Sequence, residues 1–339
     1  MIDLNIVWFI LIAVLWIGFF VLEGFDFGVG MLMPFLGKDD AQRRQIINTI
    51  GPHWDGNEVW LITAGGATFA AFPHWYATMF SGFYLAFFFL LFGLIVRVVG
   101  FEFRSKVTNP KWRTLWDWAI FTGSFLPSFL LGVTFCNLAA GLPIDAKMMF
   151  TGNLLTLLNP YGLLGGLTAV SVFLLHGAIF LTLKTTDEMQ ERARVAAHKV
   201  GLPAVVISFL LAGATFFYTD FIQHLGINPG AVPLGALATL FVVWLLLQRK
   251  MDGWAFIMTT LHLILTQGTF FMILFPRVMI SSTDPAYSLT IYNASSSPYT
   301  LQVMTIIALI FVPMVLIYQG YTYWVFRKRL TADVKKLTY

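Results

Sequence analysis

Charge is what this 339-residue chain has least of. Asp, Glu, Lys and Arg make up 11% of it, against about 25% in an ordinary soluble domain. Apolar residues reach 58%. So little charge cannot cover a water-facing surface, which excludes a soluble globular enzyme. Cysteine is nearly absent as well. The single Cys136 rules out an internal disulfide and a thiolate metal cluster, and its expected role is that of a small buried apolar residue. The short alternating strands of a membrane β-barrel are missing, since FYLAFFFLLFGLIV (83–96) alternates nothing. The first apolar run continues into EGFDFGVG without a small-residue cleavage site, so it reads as a retained helix rather than a signal peptide.

What is present is a series of apolar runs, each long enough to cross a bilayer as a helix, which takes roughly 20 residues at about 1.5 Å per residue. Nine spans are expected, near 6–36, 46–70, 75–101, 114–138, 160–183, 200–222, 233–248, 254–276 and 300–326. The fold class is therefore an all-α polytopic membrane protein with nine transmembrane helices. FVLEGFDF (20–27) and FLLHGAIF (173–180) share Phe, an aliphatic, Leu, a polar residue, Gly and a final Phe in register. Each opens a group of four spans, which predicts two pseudo-repeated four-helix bundles, 1–138 and 139–276. A Ser-, Pro- and Asn-bearing external loop (277–299), a ninth helix (300–326) and a cytoplasmic tail (327–339) complete the chain.

The connections orient it. Segments 37–45, 102–113, 184–199 and 248–253 and the tail carry 18 Lys and Arg between them, whereas the alternate connections carry only Lys147 and Arg277. Basic residues collect on the cytoplasmic side, so the N-terminus is expected outside and the tail inside. The basic balance of +4 is then a matter of topology and anionic lipid rather than of nucleic acid.

Against this apolar background the stretch GPHWDGNEVW (51–60) places His53, Asp55 and Glu58 within six positions. Glu23 and Asp26 lie in the first span and Arg97 in the third. Counted from the cytoplasmic ends of their helices, Asp55 lies about 14 Å, Asp26 about 15 Å, Glu23 about 20 Å and Arg97 about 9 Å along the axis. Glu23 and Asp26 are three apart and expected to share a face, as are Asp55 and Glu58, while His53 and Asn57 are four apart. A charge at such depth costs several kcal/mol or more unless paired, neutralised or wet. One reading is a structural network with Arg97 pairing an acid, most simply Asp26. The other is a proton route: one arginine cannot neutralise Glu23, Asp26, Asp55 and Glu58 together, so some are expected protonated or hydrated. Pro52 removes an amide donor and loosens the turn near Asn48, which would admit water.

The pair EGFDFGVG and PHWDGNEVWLITAGGATFAAFP, in the first two spans, resembles subunit II of the cytochrome bd family of bacterial quinol oxidases, and length, helix count and topology fit over essentially the whole chain. The resemblance implies two four-helix bundles plus one helix in the bacterial cytoplasmic membrane, paired with a haem-bearing subunit I and at times with a small single-helix subunit. It implies a complex that oxidises quinol and reduces oxygen to water, taking protons from the cytoplasm. Both b-type haems and the d-type haem would sit in subunit I. Subunit II would be supportive and inactive alone, with Asp55 of the HWDG motif as an acid of the proton path and Trp60 near an oxygen route between subunits. Lipids and quinone would be its small-molecule partners, and no residue here specifies a quinone site.

The histidines are the other candidate ligands, imidazole being the usual axial ligand of haem. His74, His198 and His224 are expected at interfaces or in loops, and His176 and His262 inside spans as hydrogen-bonded core residues; His53 belongs with the acidic cluster. No metal site is expected. Three other readings stay open, among them a proton channel, which would need polar residues through the outer half of the bilayer where the sequence supplies few. A proton-coupled secondary transporter would use midplane acids and repeated bundles, although here the acids crowd one half. A purely structural membrane subunit overlaps the oxidase reading.

Overall fold

The computed structural model describes residues 3–221 and 231–333. Within them the chain is helical almost throughout. The helices are α1 (Leu4–Leu36), α2 (Asp40–Ile50), α3 (Trp54–Ala71), α4 (Pro73–Gly82), α5 (Tyr84–Phe103), α6 (Pro110–Ala140), α7 (Leu154–Leu157), α8 (Pro160–Lys184), α9 (Asp187–Tyr218), α10 (Ala231–Gln248), α11 (Asp252–Leu274) and α12 (Pro298–Val325). Capping residues explain many starts: Asp3, Asp39, Asn109, Asn159 and Ser297 each accept a hydrogen bond from a backbone N–H of the first turn, satisfying donors that have no partner within the helix.

Among the described residues seven helices, rather than nine, are long and apolar enough to cross a membrane. The expected span 46–70 is not one helix. Gly51, Pro52 and His53 form a turn between α2 and α3, because proline offers no N–H to continue the ladder and its ring crowds the preceding turn. The expected span 75–101 is interrupted at one residue, Phe83. Its amide still donates to the Met79 carbonyl at 2.8 Å, and its carbonyl accepts from the Phe87 amide at 2.8 Å, so α4 and α5 run on almost without a gap. The helix α10 is apolar but shorter.

Helix α1 is the axis of the molecule, packed against α3, α6, α8 and α11, and nearly every residue from Phe19 to Met33 is buried. Its approach to α8 depends on glycine. A Cβ on Gly28 would fall 1.9 Å from the Phe173 carbonyl oxygen, and one on Gly177 would fall 2.6 Å from the Gly28 backbone. Close backbone approach through small residues replaces the hydrophobic drive that is lost between helices in lipid. The two echo segments meet at this contact. Phe20 and Phe173 lie 5.5 Å apart between ring centres, and Phe25 stacks on Phe180 at 4.1 Å.

One end of the molecule is closed by the 277–299 segment. Strands β1 (Arg277–Met279) and β2 (Leu289–Thr290) pair antiparallel, and Val278, Met279 and Leu289 within them and Ile291 beside them are buried. The Leu142 amide donates to the Ile280 carbonyl at 2.8 Å, and the Ser296 amide donates to the Ala71 carbonyl at 2.8 Å. The opposite end is laced by ion pairs. Asp117 lies 2.5 Å from both Arg43 and Arg104, Asp40 lies 2.9 Å from Arg104 and from Arg113, and Arg194 lies 2.6 Å from Asp252. The C-terminal segment is tied down there, with the Leu330 amide donating to Lys184 O at 2.8 Å and Gln45 donating to Leu330 O at 2.8 Å.

Candidate functional site

Helices α1, α3, α5 and α12 converge on a polar cluster inside the bundle. Glu23, Asp26, Asn57 and Arg97 are each 0% exposed, the two acids because α1 is enclosed on all sides. Arg97 donates from the same Nη1 atom to Glu23 and, at 2.9 Å, to Glu58. Its guanidinium also lies against the faces of Phe27 and Phe101, 4.9 and 5.2 Å from their centres, which favours a cation held away from water. The partner of Arg97 is thus not Asp26. One helical turn along α1 from Glu23, Asp26 accepts instead from Asn57 Nδ2 at 2.7 Å.

Asn57 is the hub of the cluster, a role its place in the sequence does not reveal. Its amide nitrogen serves Asp26, and its carbonyl oxygen accepts from Tyr323 Oη at 2.9 Å and Gln319 Nε2 at 3.2 Å. Gln319 in turn accepts from Trp60 Nε1 at 2.8 Å. The only signal that could have found Gln319 is its being a lone amide in an apolar run, IALIFVPMVLIYQG. Trp60 packs across Gly18, whose missing Cβ leaves room for the indole.

His53 sits beside this hub, buried in the turn before α3 and stacked on Tyr323 with ring centres 4.3 Å apart. Its two ring nitrogens make no hydrogen bond within the described residues, and it joins the cluster through that stacking rather than through the acids. Asp55 stands apart. It lies on the outer face of α3 with Gly56, Val59 and Ile62, exposed, while Asn57, Ala64 and Thr68 face inward. Glu58, one turn beyond Asp55, is intermediate, with a side chain 17% exposed. The structure therefore brings together Glu23, Asp26, Glu58 and Arg97, sets His53 at the edge and places Asp55 outside. Glu23 Oε2 and Asp26 Oδ1 are buried without a hydrogen-bond partner among the described residues.

The remaining histidines are committed or remote. His176 uses both ring nitrogens, Nδ1 with Thr259 Oγ1 at 2.7 Å and Nε2 with Val21 O at 3.1 Å, and stacks on Phe256 at 4.5 Å. His262 holds the Ala236 carbonyl through Nδ1 at 2.9 Å and borders a cavity of about 50 Å³. His74 is exposed and His198 half-buried. His224 lies outside the described residues.

Long apolar helices around a sealed arginine–carboxylate cluster define a polytopic helical membrane protein with ionisable groups at its heart. The model of the family "Cytochrome bd terminal oxidase subunit II" matches residues 4–326. The chain is 47% identical over 333 residues to cytochrome bd ubiquinol oxidase subunit 2 of Bacillus subtilis, covering 98% of each chain. It is 41% identical over 374 aligned positions to cytochrome bd-I ubiquinol oxidase subunit 2 of Escherichia coli K12, covering 99% of this chain and 98% of that one. The chain belongs to the cytochrome bd oxidase subunit II family. A solved structure of the bd oxidase from Geobacillus thermodenitrificans superposes with a TM-score of 0.79 at 16% identity, covering 96% of this chain and 100% of the matched one, which shows a shared fold.

Proposed function

We propose that this chain is the second subunit of a bd-type quinol oxidase, supporting a haem-bearing subunit I that oxidises quinol and reduces oxygen to water. Its acids would supply part of a proton route from the cytoplasm. Near-full-length similarity to two named ubiquinol oxidase subunits supports the first part. Neither His176 nor His262 suits an axial ligand's part: both nitrogens of His176 are engaged, and the cavity beside His262, at about 50 Å³, is far smaller than a tetrapyrrole and is lined by no second histidine or methionine. In the same proposal the two b-type haems and the d-type haem sit in subunit I. The nine-span arrangement of two bundles and one helix, with the N-terminus outside and the tail inside, is part of the same proposal; the contact between the echo segments supports the duplication, and the distribution of Lys and Arg supports the orientation.

The proton route rests on one observation, the excess of carboxyls over guanidinium in a largely buried place. Glu23, Asp26 and Glu58 gather around Arg97 alone, and unscreened negative charge is expensive there. A shared proton relieves the excess, and Glu23 Oε2 and Asp26 Oδ1, buried and unbonded, are the atoms that can carry it. In this reading Asp55 collects protons on the outer face of α3, where the partner subunit would complete its surroundings. Glu58 stands one turn further on the same helix, bonded to the Arg97 Nη1 that also holds Glu23. The test is Asp55→Asn and Glu58→Gln in the assembled complex, which keep shape and hydrogen bonding but remove the exchangeable carboxyl proton. Haem content should be unchanged, while oxygen reduction and coupled proton uptake fall about tenfold or more, the usual worth of positioned proton transfer. Full turnover by both variants across the active pH range would leave the cluster a scaffold.

A further inference from the structure

On the basic side of the molecule, between α1, α6, α8 and α9, lies a groove of about 700 Å³ that the oxidase reading does not use. Its walls are apolar, among them Leu32, Phe35, Phe121, Phe125 and Leu174. Its rim is not. Glu188, Arg192, Val195 and Lys199 all border the groove and are spaced as one stripe along α9. Arg192 is pinned by its Nη1, which donates to the Leu36 carbonyl at the end of α1. Its Nε and Nη2 are buried and make no hydrogen bond among the described residues. Nη2 lies 3.4 Å from Glu188, but that carboxylate is mostly exposed and shared with Lys38 at 3.3 Å. Glu191 is drawn away to Arg194 at 2.5 Å. Lys199 is exposed and forms no ion pair among the described residues.

A guanidinium pinned at the groove's edge with N–H groups left unbonded is a cation lacking a full complement of acceptors, and phosphate is an anion that arginine favours. It stands at the mouth of a slot whose walls suit hydrocarbon, on the side where the chain's other Lys and Arg collect. Free phosphate would leave the walls unused, and an uncharged ligand would leave Arg192 unmet. We infer that this groove binds an anionic phospholipid, its phosphate held at the rim by the charge of Arg192 and the exposed ammonium of Lys199, with an acyl chain lying along Leu32, Phe35 and Phe125. Basic pockets between transmembrane helices recognise lipid headgroups on these grounds.

The test uses the purified oxidase complex, stripped of loosely held lipid in detergent and exposed to vesicles of phosphatidylglycerol or of phosphatidylcholine. Lipid retained per complex is then counted by native mass spectrometry. The complex should keep phosphatidylglycerol in preference to phosphatidylcholine. Arg192→Gln with Lys199→Gln should weaken that retention about tenfold or more, as expected from two basic groups facing an anionic headgroup. Should the double variant fail to assemble, Lys199→Gln alone, altering an exposed side chain, should still lower retention measurably, and Arg192→Lys should keep part of it. Equal retention of both lipids, or unchanged phosphatidylglycerol retention in the variants, would overturn the inference. So would inorganic phosphate alone if it stabilised the complex against heat as well as the lipid does, because the site would then serve a soluble anion.

Discussion

Replacing Arg97 by Gln is the most searching perturbation of the central cluster. Arg97 is wholly buried, bonds Glu23 and Glu58 from one nitrogen and lies between Phe27 and Phe101. Glutamine keeps an amide donor but removes the charge, so two carboxyls face one another with no counter-ion. Breaking a buried ion pair from one side costs about 3–5 kcal/mol, and the cation–π contacts contribute about 1 kcal/mol more. Proton uptake onto Glu23 offsets part of this, which leaves about 3 kcal/mol. A membrane complex of this size is best followed kinetically. If the loss falls on the unfolding barrier, the half-life of the assembled oxidase at a fixed high temperature should shorten by about a hundredfold, at about 1.4 kcal/mol per factor of ten. Adding Glu23→Gln to the same chain removes the stranded charge and should recover at least about 1 kcal/mol, within the coupling seen between contacting residues. A half-life within about threefold of the parent for Arg97→Gln, or a double variant as weak as the two single losses added together, would refute the reasoning.

Three further outcomes are expected. Gly28→Ala sets a methyl group against the Phe173 carbonyl and should lower the stability of the assembled complex by about 1–3 kcal/mol or more, measured as its thermal midpoint, with a comparable loss for Gly177→Ala. His176→Ala removes hydrogen bonds to Thr259 and Val21, which should cost about 1–3 kcal/mol while leaving every haem band in the visible spectrum intact; loss of one band would reassign a ligand to this chain. Reporter fusions should read the C-terminus as cytoplasmic and the 277–299 loop as external, and the opposite polarity would remove the basis for uptake from the cytoplasm.

The long apolar spans α1, α6, α8, α9, α11 and α12 are legible in sequence because bilayer thickness demands unbroken runs of a known length. The break at residues 51–53 is less so. Pro52 announces a disturbance, but a proline can kink a helix or end it, and only packing decides which. Helical phase is the deeper obstacle. Three-residue spacing correctly puts Glu23 and Asp26 on one buried stretch of α1, yet it cannot say which flank of α3 turns inward, and the answer, Asn57, leaves Asp55 outside. The choice of Glu23 and Glu58 by Arg97 over Asp26 depends on how α1 is turned within the bundle, and α1 packs on α8 through Gly28 and Gly177, a contact that no local pattern announces. Gln319 and Tyr323 were silent for the same reason: a polar residue in a remote span has no partner until the fold supplies one.

The bonds that Gln319 and Tyr323 make to Asn57 join residues 262 and 266 positions apart. These two groups sit on α12, the last helix among the described residues, so the Asn57 carbonyl, installed early, is without its two donors until α12 has entered the membrane. Until then it faces a solvent of hydrocarbon that offers nothing in their place. The same helix is otherwise almost bare of neighbours within the chain, with Leu301 its one fully buried residue. Completion of the acidic centre is therefore coupled to the arrival of α12. A chain truncated before residue 319 would carry an unsealed amide beside its carboxyls, a defect by which unfinished molecules differ chemically, and not merely in length, from finished ones.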